Sequence, residues 1–156
     1  MTFYIAPFLW YNEINKFECN PDLHPGMKVR GFKMKKVLFA ASECVPFIKT
    51  GGLADVCGAL PKQFDKEEWD VRVVIPNYSC IPEKYRNQFE YVTHFYMGTG
   101  PYVPSKYVGV LKYELDGITY YFIDNQEYFD CFLPYGDIRY DIEKFTFFDK
   151  AVLSML

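Results

Sequence analysis

The residues Lys49-Thr50-Gly51-Gly52-Leu53-Ala54-Asp55 place a cation, a pair of glycines and a carboxylate in one short stretch. Two adjacent glycines let a phosphate or a sugar approach the backbone with no Cβ in the way. Lys49 is a mobile cation able to reach a diphosphate. If a helix opens just after the glycines, its first amides and the positive end of its dipole add to the attraction for an anion. Asp55 then falls in the first helical turn, where a carboxylate complements the same dipole. The pattern is neither a Walker A loop nor G-x-G-x-x-G. A plain strand-to-helix turn accounts for it equally well: the glycines then serve turn geometry, Asp55 caps the helix and Lys49 is solvated.

The flanking residues predict the elements that would position this loop. From Lys36 to Ala41 runs a short apolar segment with the length of a strand buried on both faces of a parallel sheet. Leu53, Val56, Leu60 and Phe64 recur at helical spacing after the glycines, with Pro61 expected to kink or restart the helix. Val71 to Ile75 is a second β-branched run, ended by Pro76. The order strand, glycine loop, helix, strand is a βαβ unit, and its loop lies at the edge where open α/β sheets bind ligands. Farther on, Phe89 to Tyr96, Tyr107 to Leu115 and Ile118 to Ile123 read as strands. Asp116-Gly117 joins the last two as a type I′ hairpin. Tyr128 to Tyr140 reads as an aromatic loop. Ile142, Phe145, Phe148, Val152 and Met155 then form a helical stripe that runs to Leu156 without a capping signal, as expected of a chain cut inside a helix. Residues 1–33 show aromatics, prolines and no period. They are expected to be a disordered lead-in or docking arm, or to precede a natural translation start at Met34.

Composition narrows the function classes. The chain has 156 residues, half of them apolar and a fifth aromatic, which suits one domain with a core and excludes a disordered chain. Most of the 14 Tyr and 15 Phe are expected in that core, although sugar-stacking surfaces use the same residues. The net charge is −3, and no basic run exceeds Lys33, Lys35 and Lys36, so no nucleic-acid footprint is visible. No apolar run has the length of a membrane span, and Met1 to Trp10 lacks the charged start of a signal peptide. The cysteines Cys19, Cys44, Cys57, Cys80 and Cys131 are odd in number with no C-x-x-C spacing. Free cytoplasmic thiols are expected, not a disulfide framework or a zinc site.

The remaining candidates have simpler explanations. His24 sits among prolines and is expected at the surface, while His94 falls in a strand and is expected to be hydrogen-bonded. Asp137, Asp141 and Asp149 could form a carboxylate cluster, but solvated loop and helix faces explain them. With two His and no acid beside them in sequence, neither a catalytic triad nor a metal site follows.

The stretch from Lys36 to Pro61 contains S-E-C-V-P-F-I-K-T-G-G-L-A-D-V-C-G-A-L-P, followed by Asp70-Val-Arg-Val-Val-Ile-Pro as the second strand. It resembles the opening of the bacterial glycogen synthases and plant starch synthases, glycosyltransferase family 5. Tyr120-Tyr-Phe-Ile-Asp-Asn, the Tyr128 to Gly136 loop and Phe147 to Leu156 extend the resemblance over residues 34–156. It implies an α/β fold: a Rossmann-like N-terminal domain of a two-domain GT-B glycosyltransferase, here cut short. It further implies ADP-glucose as donor, the non-reducing end of an α-1,4-glucan (glycogen or starch) as acceptor, and retention of anomeric configuration, with no cofactor and no metal. By the same resemblance Lys49 contacts the donor phosphates, and Gly51 and Gly52 line the donor site with their backbone. Asp55 holds the loop or sugar hydroxyls, Tyr135 of L-P-Y-G lies near the donor cleft, and Glu43 has a structural role. Glu67-Glu68-Trp69 departs from the Gly-His pair usual in the family, and Ile81 to Pro104 matches loosely. The H-x-H-D-W segment and the second domain are absent, so the catalytic residues are expected mostly beyond Leu156 and this chain is expected to be inactive alone. UDP-glucose as donor, or a non-catalytic glucan-binding or assembly module, are the alternatives.

Overall fold

A computed structural model describes residues 34–156 apart from 99 and 101. The expectations for residues 1–33, including His24 and Cys19, lie outside the described residues. The chain forms a mixed five-stranded sheet with helices, in the order β1 (Lys35–Ala40), α1 (Gly52–Ala59), a 3-10 turn (Leu60–Gln63), β2 (Trp69–Pro76), α2 (Glu83–Arg86), β3 (Glu90–Met97), β4 (Lys106–Leu115), β5 (Ile118–Asp124), α3 (Gln126–Phe129) and α4 (Ile138–Met155). The spatial order of the strands is β1-β2-β5-β4-β3. β1, β2 and β5 run parallel, with Val37 opposite Val71 and Val74 opposite Tyr121. β4 pairs antiparallel with both β5 and β3.

The expected βαβ unit is present as β1, α1 and β2. Pro61 does restart the chain direction: α1 stops at Ala59 and the 3-10 turn carries Pro61 in its first turn, where a missing N–H costs no hydrogen bond. The hairpin between β4 and β5 turns on Asp116 and Gly117 with φ of 54° and 73°, as a type I′ turn requires. Gly58 has a different reason to be glycine. A Cβ there would lie 2.2 Å from a Val45 methyl and 2.8 Å from the Val45 carbonyl oxygen, so α1 sits directly against the loop that follows β1. The Val45–Pro46 peptide in that loop is cis.

Two expectations need correction. β1 is not buried on both faces along its length: Lys35 and Lys36 are exposed, Val37 and Leu38 half-buried, and only Phe39 and Ala40 are buried. Among the described residues β1 is an edge strand, and cover reaches only its C-terminal end. Nor is Tyr128 to Tyr140 all loop. Asn125 caps the one-turn helix α3 by accepting from the Tyr128 N–H at 3.2 Å, and Asp137 starts α4 by accepting from the Arg139 and Tyr140 N–H groups. Aromatic density hid two ordinary N-cap signals.

Aromatics build the core, as expected for most of them. Phe47, from the loop after β1, meets Tyr85, Phe89, Tyr113, Tyr120 and Phe122 edge to face, with centroids 4.9 to 6.3 Å apart. Tyr113 and Tyr120 are paired across β4 and β5, so Phe47 covers one continuous face. α4 packs Phe147 on Tyr128 and Phe148 on Phe129. Among the described residues no helix is long and apolar enough to cross a membrane.

Candidate functional site

β1, β2 and β5 end side by side, because they are parallel and in register. The chain leaving β1 carries Ser42 and Glu43, then the Lys49 to Asp55 loop, and reaches α1 across it. The segment is pinned from beneath. The Glu43 carboxylate, 2 % exposed, accepts from the Thr50 N–H at 2.5 Å and from the Thr50 hydroxyl at 2.7 Å. A buried carboxylate with two donors in place is well satisfied, and the donors hold the loop at the residue before the glycines. The expected structural role of Glu43 is therefore visible.

Gly51 is the N-cap of α1, with φ −153° and ψ −165°, and makes no side-chain capping bond. The first amides of α1 have no partner within the helix by construction. The glycine pair is not required by the turn. Gly51 has extended backbone that any residue adopts, and neither glycine has positive φ. It is not required by packing either. A Cβ on Gly52 would meet nothing within 4 Å, and one on Gly51 would meet only the Glu43 carboxylate at an ordinary 3.7 Å. Turn geometry thus fails to explain why both positions lack a side chain.

The structure brings three further predicted residues to the same place. The Lys49 ammonium pairs with the Asp55 carboxylate at 2.7 Å, both about half exposed. Tyr135, distant in sequence, reaches the loop after β1, where its hydroxyl and the Ser42 hydroxyl lie 2.5 Å apart. Burial pushes the Tyr135 phenol up from its ordinary value, against the opposing hydrogen bond from Ser42, so it is protonated at neutral pH. Ser42 and Glu43 are adjacent, so Tyr135, Ser42, Glu43 and Thr50 form one connected arrangement ending at the glycines. Ser42 was missed by sequence reasoning, and only its position beside Glu43 could have flagged it.

The thiols in this region are not nucleophiles. Burial pushes the Cys44 thiol up to about 12, and Cys57 is raised by the same cause. All described cysteines are free. No group of three or more His, Cys, Asp or Glu among the described residues could hold a metal.

The expected solvated aspartates are corrected in part. Asp137 caps α4, as described above. The Asp141 side chain is only 16 % exposed: it binds Lys144 at 2.7 Å and accepts from the Gly136 N–H at 2.8 Å. Burial pushes its carboxyl up, but those two hydrogen bonds and the ammonium charge outweigh this and hold it below the usual carboxylate range. His94 lies in β3, its Nδ1 2.5 Å from the Tyr91 hydroxyl, as expected of a hydrogen-bonded histidine.

Comparison with known proteins gives the arrangement a family. Residues 36–156 match the family model described as starch synthase catalytic domain. Glycogen synthase of Lachnospira eligens is 58 % identical over 123 residues, covering 79 % of this chain and 25 % of the relative. That of Lachnoclostridium phytofermentans is 56 % identical over 123 residues, with the same coverage. That of Bacillus cytotoxicus is 51 % identical over 122 residues, covering 77 % and 24 %. The chain therefore spans about a quarter of the length of these curated relatives. The catalytic domain of starch synthase IV from Arabidopsis thaliana, solved bound to ADP and acarbose, shares the fold with a TM-score of 0.64 at 24 % identity, over 76 % of this chain and 24 % of that one. With the family model matched along most of its length and identities above one half to named glycogen synthases, the chain belongs to the starch synthase catalytic domain family.

Proposed function

We propose that residues 34–156 are the N-terminal Rossmann-like half of a retaining glucosyltransferase, which moves glucose from ADP-glucose to the non-reducing end of an α-1,4-glucan. Its setting is the cytoplasm, in keeping with the free thiols. The observation that carries the proposal is the open glycine pair at the N-terminus of α1: neither backbone geometry nor packing calls for glycine there, whereas a closely approaching diphosphate or glucose does. The leaving group is a nucleoside diphosphate, and its developing charge needs cations and backbone donors aimed at it. Lys49 and the first amides of α1 supply part of that, with Asp55 holding Lys49 until the donor arrives. Tyr135 stands beside the loop as a wall of the donor cleft. Family membership supports the reaction, and the plant relative was solved with ADP and acarbose. UDP-glucose remains the competing donor, and parallel titrations of the complete protein with the two nucleotide sugars separate them.

The test uses the complete protein. Gly52→Ala is expected to leave the thermal midpoint unchanged or slightly raised, since its Cβ meets nothing, yet to raise the KM for donor. Lys49→Ala is expected to lower donor kcat/KM by the worth of a charge-assisted contact, about 2–3 kcal/mol. Unchanged donor kinetics in both variants would remove the loop from the site.

A second proposal rests on the exposed rings of Tyr91, His94, Tyr96 and Tyr107. They cluster on β3 and β4 with centroids 5.7 to 6.2 Å apart, a surface suited to stacking on sugars. On that proposal the chain is a glucan-binding module. The 156-residue chain, which is expected to transfer no glucose alone, would be retained on a glycogen column whether or not ADP-glucose is present. Passage without retention would sink the module.

A further inference from the structure

We propose that Lys144 and Asp141 of α4 are positioning residues that set Tyr135 in the donor site. The Lys144 side chain is 2 % exposed, and its ammonium donates to the Pro134 carbonyl at 2.5 Å and to the Asp141 carboxylate at 2.7 Å. The other oxygen of Asp141 accepts from the Gly136 N–H at 2.8 Å. One helix thus grips the residue before Tyr135 by its carbonyl and the residue after it by its amide. The Phe145 ring of the same helix lies against the Tyr135 ring, with centroids 5.7 Å apart.

Phe132 and Leu133, just ahead of it, are 96 % and 65 % exposed, so apolar burial anchors the segment only at Pro134. Docking of α4 does not need a buried ammonium. Phe147, Phe148, Ala151 and Val152 seat that helix, and a methionine in place of Lys144 would bury equally well at no cost in desolvated charge. What the lysine adds is a donor aimed at one peptide group beside Tyr135. The consequence reaches the glycines, because the Tyr135 hydroxyl meets Ser42, next to the Glu43 that holds Thr50.

The inference rests on the placement of Tyr135 in the donor site, and the experiment keeps the two apart. Lys144→Met, Lys144→Arg, Asp141→Asn, Tyr135→Ala and the Lys144→Met/Tyr135→Ala pair are made in the complete enzyme. Donor and glucan kinetics are measured beside the thermal midpoint. Lys144→Met is expected to lower donor kcat/KM roughly 10- to 100-fold, the scale of a misplaced substrate-positioning group. The KM for glucan is expected to hold, and Lys144→Arg to restore most of the loss. In the Tyr135→Ala background Lys144→Met is expected to have no further effect. Should Lys144→Met fail to fold, Asp141→Asn, which keeps the volume and loses the charge, carries the same comparison. A donor response unchanged by Lys144→Met and Asp141→Asn overturns the clamp, as do losses that multiply in the double variant. A silent Tyr135→Ala removes Tyr135 from the donor site and the clamp's role with it.

Discussion

Glu43 is the residue on which the loop geometry turns. It is a buried acid whose two hydrogen bonds both go to Thr50, one to the backbone and one to the side chain. Removing the carboxylate leaves those donors to find water in a part-buried place. Glu43→Ala is expected to lower unfolding free energy by about 1.5–3 kcal/mol, the worth of hydrogen bonds to a charged acceptor. Glu43→Gln, which retains one acceptor oxygen, is expected to recover part of it. Urea unfolding measures both, and an unshifted midpoint in the alanine variant would show that the loop holds itself. The loop stood out in the sequence as a cation, two glycines and an acid in one stretch, but a plain strand-to-helix turn fitted that pattern equally well, and only the family resemblance pointed to a donor site. Lys144 did not stand out. A lysine on an amphipathic helix ordinarily faces water, and only the folded positions of Pro134, Gly136 and Asp141 show that this one does not.

At the level of the elements, α1 holds two glycines with opposite physical meaning. Gly52 faces open space, whereas Gly58 sits against Val45, whose N–H donates to the Ala54 carbonyl at 3.1 Å and ties the loop to the helix. Helix propensity alone would favour alanine at Gly58 by about 1 kcal/mol. The contact with a backbone oxygen cannot be relieved by a rotamer change, so packing wins. Gly58→Ala is expected to destabilise the chain by about 1–3 kcal/mol, in contrast to the neutral Gly52→Ala. Thermal unfolding of the two variants side by side checks the sign; a stabilised Gly58→Ala would mean that Val45 moves freely. The helix and the strands around it were readable from period and from Pro and Gly placement. The short helices α2 and α3 were not, because one turn of chain carries too few residues for a period and is set by its caps.

Across the whole molecule, the strand order was legible only in part. The Asp116-Gly117 signal joined β4 to β5, but nothing local states that β5 also pairs with β2, or that among the described residues β1 is covered only at its C-terminal end. Those facts depend on pairings between distant parts of the chain. The same distance explains why the contact between Tyr135 and Ser42, 93 residues apart, was not legible before the fold was seen. The strand order also bears on how the protein is made. Among the described residues β5 is central in the sheet yet follows the other four strands in sequence, and roughly forty residues separate the end of β2 from its start. At 5–20 residues per second, a growing chain shows the flank of β2, with Val73, Val74 and Ile75, unpaired for about two to eight seconds. During that interval the nascent chain offers an unsatisfied apolar strand to whatever stands nearest the ribosome, so a holding chaperone would have its natural target at β2.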